Sequence, residues 1–179
     1  DHEEKVIYLG TFSKSIAPSL RISYMVLPLH LLKKYQESCS FYSTTVSKIQ
    51  QEVLREFIRG GYFGRHLNKM RGIYKNKHDF LVGELKKKNW VENIAGDNAG
   101  LHVLVQVNTT LTEEEICKKA AECGIRLMGI REHYIHTPPE GRPVLLLGYG
   151  KPDEQEIQKG LEVLESIITG RNSNNCKKP

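Results

Sequence analysis

Two short apolar runs near the start of the chain enclose a segment that is poor in charge. Residues 5–10 and 21–27 are rich in Ile, Val, Tyr and Leu, a composition typical of short strands. The segment between them carries Lys14. The pattern therefore predicts a strand, a loop with one lysine, and a second strand.

Helical periodicity follows the second strand. A first helix is predicted at residues 29–37, after Pro28. A second helix is predicted to begin at Thr44 or Thr45, because its apolar residues recur at helical spacing, and to end at the glycine pair that starts with Gly60.

One long helix is predicted at residues 62–88, where a single apolar stripe runs among many Lys and Arg residues. A helix of this length is typical of a bridge between two domains. We therefore place a domain boundary within it, near residue 72, and predict one domain at 1–72 and another at 73–179.

The second half alternates between strands and helices. A capping box at Thr112 begins one helix and Gly124 ends it, while Asp153 begins the last helix and Gly170 ends that one. The predicted strands cover residues 101–107, 125–130 and 144–149. The order strand, helix, strand, strand, helix indicates a compact α+β unit.

The composition is that of an ordinary globular protein, with 39% hydrophobic and 26% charged residues. No apolar run approaches the roughly 18 residues that a membrane span needs. The net charge of +5 is compatible with nucleic-acid binding. However, residues 86–88 are lysines at a predicted helix end, where cations offset the helix dipole. Two more lysines lie in a polar tail, residues 172–179, that we expect to be disordered.

The four cysteines (Cys39, Cys117, Cys123 and Cys176) are scattered and form no C-x-x-C pair. This spacing predicts reduced thiols and a cytoplasmic protein.

His133 and His136 lack Cys or Asp partners nearby, so no metal site is predicted. The chain begins without Met just before a strand, which favours a piece of a longer protein.

The candidate chemistry lies in the loop between the first two strands. A lysine amine is a poor nucleophile at neutral pH, but burial or nearby cations make it able to form a Schiff base. Thr11 and Ser13 supply hydroxyl donors beside Lys14, and Arg21 supplies a cation that can bind a phosphate. The set suggests a site for a phosphorylated carbonyl compound. The alternative is a surface strand–loop–strand with an incidental lysine.

The same segment resembles a known family. Residues 6–28, VIYLGTFSKSIAPSLRISYMVLP, resemble the Schiff-base lysine segment of fold-type-I, pyridoxal-phosphate-dependent aminotransferases. The greatest similarity is to the aminotransferase-like domain of MocR-type regulators, where that domain follows a GntR-type winged-helix DNA-binding domain. The similarity continues at Glu56-Phe57, Gly60-Gly61, His66, Met70-Arg71, Tyr74, residues 99–102 and residues 145–149.

The resemblance implies an α/β fold: the end of the large cofactor-binding domain at 1–72 and the α+β small domain at 73–179. It implies that Lys14 holds pyridoxal 5'-phosphate as a Schiff base and moves a proton as general acid and base. Thr11, Ser13 and Arg21 would bind the cofactor phosphate.

Ser23 stands where the family usually has Gly, and two larger departures from the family are visible. The Asp that pairs with the pyridine nitrogen and the Tyr near the ring oxygen belong upstream of the lysine segment, before this chain begins. Related enzymes also carry a substrate-carboxylate arginine at the place of Leu146. Arg131 and Arg142 are the candidates to replace it.

The leading hypothesis is an aminotransferase-like domain that binds an effector in a GntR/MocR-type transcriptional regulator. Its ligand would be an amino acid or amine, the intact protein would be a homodimer, and DNA would be bound only through a domain absent from this chain. A second hypothesis is a stand-alone aminotransferase that moves an amino group from an amino acid to a 2-oxo acid. A third is an interaction piece without a cofactor.

Overall fold

The computed structural model describes residues 2–96, 100–137 and 140–170. The tail at 172–179, Ala99 of the similarity at 99–102, and Cys176 lie outside these ranges. The chain divides into two compact units, Asp1–Arg71 and Gly72–Pro179. Their assignment to a large and a small domain stays a prediction.

The first unit begins with an antiparallel pair of strands. β1 (Tyr8–Thr11) pairs with β2 (Ser23–Val26), and the register places Thr11 opposite Ser23. Both predicted strands are thus present, although shorter than expected. The connection contains one turn of helix, α1 (Phe12–Ser15), where a loop was predicted. The turn forms because the Thr11 side chain accepts a hydrogen bond from the backbone N–H of Ser13.

Three helices follow: α2 (Leu29–Cys39), α3 (Lys48–Arg59) and α4 (Tyr62–Leu85). Their existence was predicted, but the start of α3 at Thr44 or Thr45 was wrong. Ser47 is the N-cap, because its hydroxyl accepts from the N–H of Gln50 at 3.2 Å. The Thr44 hydroxyl accepts instead from the N–H of Val46, which makes a local turn before the helix.

The second unit is built on a four-stranded antiparallel sheet in the order β3–β4–β6–β5. These strands and the two helices beside them have the following bounds: β3 Val91–Ala95, β4 His102–Val107, α5 Glu113–Glu122, β5 Met128–Gly129, β6 Val144–Gly148 and α6 Glu154–Thr169. The mixed α/β class and the α+β character of this unit agree with the expectation.

Two strands differ from the sequence prediction. β3 was missed, because polar Glu92 and Asn93 interrupt its apolar alternation. β5 has two residues where a strand at 125–130 was predicted. The cause lies at the end of α5, where Gly124 has φ +78° and Ile125 donates to the carbonyl of Ala120 at 2.8 Å. Ile125 therefore closes the helix instead of starting a strand.

The core lies in the second unit. Val103, Val105 and Val107 on one face of β4 are fully buried, as their alternation predicted. Trp90, just before β3, is 4% exposed. The other buried members come from α4, α5, β6, the residue after β6 and α6: Leu81, Val82, Leu85, Ile116, Leu145, Leu147, Tyr149, Ile157, Leu161, Leu164 and Ile168.

Capping fixes both helices of this unit as predicted. Thr112 and Glu115 exchange reciprocal hydrogen bonds at the start of α5, and Asp153 and Glu156 do the same for α6. Gly170 ends α6 in the left-handed conformation, with φ +67°.

Cysteine chemistry departs from the expectation at one position. Cys39 and Cys117 are free thiols, whereas Cys123 is disulfide-bonded. Spacing along the sequence excludes local pairs such as C-x-x-C but not distant ones. Separately, the described part of the chain contains no helix with the length and apolar character needed to cross a lipid bilayer.

Candidate functional site

The turn that carries Lys14 is held between the two strands of the first unit. The Phe12 N–H donates to the carbonyl of Ile22 at 2.9 Å, and the Thr11 hydroxyl donates to the same carbonyl at 3.2 Å. The Thr11 oxygen also accepts from the Ser13 N–H at 3.2 Å. α1 is therefore anchored to the start of β2 through both backbone and side chain.

Ser13 connects this turn to Arg21. Its side chain is buried, and its hydroxyl donates to the carbonyl of Leu20 at 2.6 Å. The same oxygen accepts from Nη1 of Arg21 at 3.4 Å. Thr11, Ser13 and Arg21 thus lie around one turn, which places three of the four candidate site residues together.

Lys14 occupies the exposed side of this turn. Within the described ranges, no hydrogen bond or ion pair to its ammonium group is present. The segment from Tyr8 to Leu27 contains no Asp or Glu, so Lys14 and Arg21 have no acidic neighbour in sequence. Two such cations favour an anionic ligand.

These residues fit a phosphate-bearing cofactor, with the guanidinium as the principal group. A guanidinium carries five N–H donors, and the contact of Arg21 with Ser13 uses one of them. In this structure the Thr11 and Ser13 hydroxyls donate to backbone carbonyls. Their hydroxyl protons must turn outward to reach a ligand, whereas Arg21 has donors to spare.

An aromatic contact beneath the turn was missed by the sequence analysis. The Tyr24 ring lies over Gly10, its cross-strand partner, so a Cβ on Gly10 would stand 2.3 Å from Cζ of Tyr24. This ring therefore occupies the space that a side chain at Gly10 would need. Phe12 packs against Tyr24 with ring centroids 5.2 Å apart. The signal in the sequence was an aromatic residue placed opposite a glycine.

The two arginines considered for a substrate carboxylate are both engaged within the second unit. Nε of Arg131 lies 3.8 Å from the buried carboxylate of Glu113, and its Nη2 donates to the Gly141 carbonyl at 3.2 Å. Arg142 contacts Asn108 and pairs with Glu92 at 3.3 Å. Both arginines therefore serve as links between elements of this unit.

Leu146, at the place of the family's substrate arginine, lies in the middle of the sheet. Its register partners are Leu104 on β4 and Met128 on β5. Side chains directly opposite each other on neighbouring strands share one face, so the three form an apolar row. His102, also on β4, is exposed on the face opposite the buried valines.

The residues described by the structure include no group of three His, Cys, Asp or Glu side chains placed to hold a metal ion. His133 lies in a single 3₁₀ turn, Arg131–His133. The candidate site of the first unit provides an amine, a guanidinium and two hydroxyl groups.

Comparison with known proteins places this turn in context. Residues 1–158 match the family model of aminotransferase class I and II. The uncharacterized HTH-type transcriptional regulator YdeL of Bacillus subtilis is 38% identical over 167 residues, which cover 93% of this chain and 36% of that protein. The probable rhizopine catabolism regulatory protein MocR of Rhizobium meliloti is 29% identical over 170 residues, covering 94% and 34%.

A solved structure is similar as well. Kynurenine aminotransferase of Pyrococcus horikoshii, crystallised with PMP, has a TM-score of 0.77 and 25% identity, and the match covers 97% of this chain and 43% of that one. The chain thus spans less than half the length of these relatives.

Proposed function

This chain belongs to the class I and II aminotransferase family, and from that membership we propose that it is part of the effector-binding domain of a GntR/MocR-type transcriptional regulator. The carrying observation is the similarity to regulators along nearly the whole chain, at 38% identity for YdeL. Pyridoxal 5'-phosphate is the cofactor of the family. The domain would bind it in the intact protein and act on transcription through a separate DNA-binding domain.

Four residues of the first unit would hold the cofactor. Lys14 supplies the primary amine that bonds covalently to the cofactor's aldehyde carbon, since its side chain is exposed and unopposed by acids in its own segment. Arg21 binds the phosphate by charge and N–H donation. Thr11 and Ser13 fix the turn through hydrogen bonds to the carbonyls of Ile22 and Leu20, just before β2. Their hydroxyls would also be offered to the same phosphate.

When bound, the cofactor withdraws electrons from an attached amine, which makes a proton on the neighbouring carbon easier to remove. Lys14 is the residue of this chain that would move that proton, because its amine is exposed and has no hydrogen bond or ion pair among the described residues. The ligand of the regulator is, on this proposal, an amino acid or another primary amine.

The intact protein would be a cytoplasmic homodimer. Regulators that bind DNA work where the chromosome is, which supports a cytoplasmic location. An apolar stripe on α3 supports association, because Ile49 is 78% exposed and Val53 is 65% exposed. Sedimentation of the intact protein as a monomer at micromolar concentration would count against the dimer.

The test of cofactor binding is the visible absorbance of the imine in the full-length protein that contains this chain. Adding pyridoxal 5'-phosphate should produce the band in the wild type and in Lys33→Ala, which removes an exposed lysine of α2. The band should be lost in Lys14→Ala. A band that survives in Lys14→Ala would show that another lysine bonds the cofactor.

A second measurement separates regulator from enzyme. On the proposal, an amine ligand changes the imine spectrum and the affinity for promoter DNA, while turnover with 2-oxoglutarate stays negligible. Rapid turnover without any effect on DNA binding would favour a stand-alone aminotransferase.

A further inference from the structure

Phe12 places an aromatic ring in the same helical turn as Lys14. Its ring contacts two others: Tyr24 on β2 at 5.2 Å, and Phe63 on α4 at 5.8 Å in an edge-on arrangement of 71°. Phe63 in turn contacts Phe57 of α3 at 6.4 Å. Phe63 is therefore the ring that joins the lysine turn to two helices.

The lysine turn has few other supports. α1 is four residues long. Its N-cap Thr11 and its Ser13 make side-chain hydrogen bonds to carbonyls in the segment just before β2, and Ser15 donates back to the Thr11 carbonyl at 3.4 Å. Among the described residues, no contact restrains the ammonium group of Lys14 itself. The backbone of the turn therefore sets the direction in which the Lys14 side chain leaves it. Among the ring contacts of the described residues, that of Phe12 with Phe63 is the one that links this turn to α4.

Edge-on aromatic pairs at these distances stabilise a particular orientation as well as burying surface. Loss of the Phe63 ring would leave Phe12 held by Tyr24 alone, without its contact to α4. The turn would then sample several orientations, and the Lys14 amine with it. An amine held within a fraction of an ångström and 10–20° of its working direction needs such rigid support.

We propose that Phe63 is a positioning residue for Lys14, which fixes the orientation of the lysine amine through the ring of Phe12. The proposal rests on Lys14 being the cofactor-bonding residue, as proposed above. Phe63 does not touch the cofactor on this view and acts only through the turn.

The test compares variants of the full-length protein. Phe63→Leu removes the ring, and Phe63→Tyr keeps it. Phe80→Leu is the matched control, because Phe80 lies on the same helix and is partly buried, but packs against the core of the second unit. Phe12→Leu removes the other ring of the contact and provides a second variant should Phe63→Leu fold poorly.

Two measurements are made on each variant. The first needs no cofactor: hydrogen exchange of the amides of residues 12–16, which should become about tenfold faster in Phe63→Leu and Phe12→Leu. The second is the affinity for pyridoxal 5'-phosphate and the pH midpoint of the imine band. Affinity should fall about tenfold in the same variants, and the pH midpoint should shift. Phe63→Tyr and Phe80→Leu should stay within twofold of the wild type in both measurements.

The outcomes separate the two proposals. If the wild type shows no imine band that depends on Lys14, the cofactor proposal fails, and hydrogen exchange alone then decides whether Phe63 orders the turn. If the band is normal but Phe63→Leu leaves both exchange and affinity unchanged, the positioning role is wrong. Equal effects in Phe80→Leu would show general destabilisation and would also overturn it.

Discussion

Gly10 is a position where one methyl group should have a measurable cost. A Cβ there would lie within 2.6 Å of three atoms of the Tyr24 ring, so this half-exposed ring must turn aside and lose its contact with Phe12, an aromatic pair typically worth about 0.5–1.5 kcal/mol. We expect Gly10→Ala to lower the free energy of unfolding by that amount, measured by urea titration of the intact protein. Gly64→Ala is the control, because α4 leaves open space there and alanine favours a helix by up to about 1 kcal/mol.

Glu113 is the buried carboxylate of the second unit, at 6% exposure. Its two oxygens accept from the backbone N–H groups of Arg131 and Val144, both at 2.9 Å. In Glu113→Gln an amide NH₂ must face one of these donors, so we expect a loss of about 1–3 kcal/mol in unfolding free energy. Glu114→Gln changes an exposed neighbour and should stay within about 0.5 kcal/mol. Equal losses in the two variants would show that the hydrogen bonds to the Glu113 carboxylate do not stabilise the fold.

Arg21 should matter for the phosphate and not for the rest of the cofactor. We expect Arg21→Met to weaken binding of pyridoxal 5'-phosphate about tenfold or more, because a charge-assisted hydrogen bond is lost. Binding of pyridoxal, which lacks the phosphate, should change by less than about twofold. Arg59→Met, at an exposed position of α3, serves as the control. A similar loss for both ligands would place Arg21 elsewhere in the site.

For single residues, the sequence predicted that Thr11, Ser13 and Arg21 lie close together but not which hydrogen bonds they form. A hairpin connection between two strands necessarily brings Thr11, Ser13 and Arg21 close to one another. Whether a hydroxyl donates outward to a ligand or inward to a carbonyl depends on distances of a few tenths of an ångström. The inward bonds to the carbonyls of Leu20 and Ile22 therefore had no signature in the sequence.

Among the elements, α5 has a capping box whose strength depends on pH. The Thr112 N–H donates to the Glu115 carboxylate at 2.8 Å, and this bond lowers the pKa of Glu115 below its ordinary value of 4.5. The folded chain therefore binds this proton less readily than the unfolded chain. The Glu115 carboxylate stabilises the fold at pH values above its ordinary pKa of 4.5. The stabilisation is lost as the pH falls through the lower pKa of the folded state.

We therefore expect the stability difference between the wild type and Glu115→Ala to be largest near neutral pH and to shrink below pH 4.5. Urea unfolding followed by circular dichroism at a series of pH values measures it. Glu114→Ala provides the comparison, since Glu114 is not part of the box. A difference that does not vary with pH would mean that the bond does not persist in solution.

The ends of elements were predictable where side-chain chemistry decides them. Thr112, Asp153 and Gly170 mark the helix ends of the second unit as expected. Prediction failed where two candidates compete, as with Thr44 and Ser47, because both hydroxyls can cap and only the fold selects one. β3 was invisible for another reason: its polar residues are tolerated at the edge of a sheet.

In the whole molecule, buried apolar side chains are unevenly distributed. Among the described residues, Ile22 is the one member of the buried hydrophobic set that comes from the first unit. The strands of that unit expose several large side chains, including Leu9 at 77% and Val26 at 53%. The second unit therefore has a core of its own, whereas the first has little apolar burial to offset its conformational entropy.

We expect residues 72–170, produced alone, to unfold cooperatively in urea, and residues 1–71 alone to show no cooperative transition. In the chain as given, amide exchange should be slow in β4 and β6 and fast in β1 and β2. Matched protection in both sheets would show that the first unit is stable without further apolar cover.

The position of Trp90 gives the molecule an optical label that reports on one half alone. It is the single tryptophan of the chain, and its indole lies within the core of the second unit at 4% exposure. Indole emission shifts to longer wavelength when water reaches the ring. The fluorescence of Trp90 therefore reports the unfolding of the second unit and does not respond to disorder in the first unit. In the same chain, amide exchange in β1 and β2 follows the first unit. The two measurements therefore report on the two units separately.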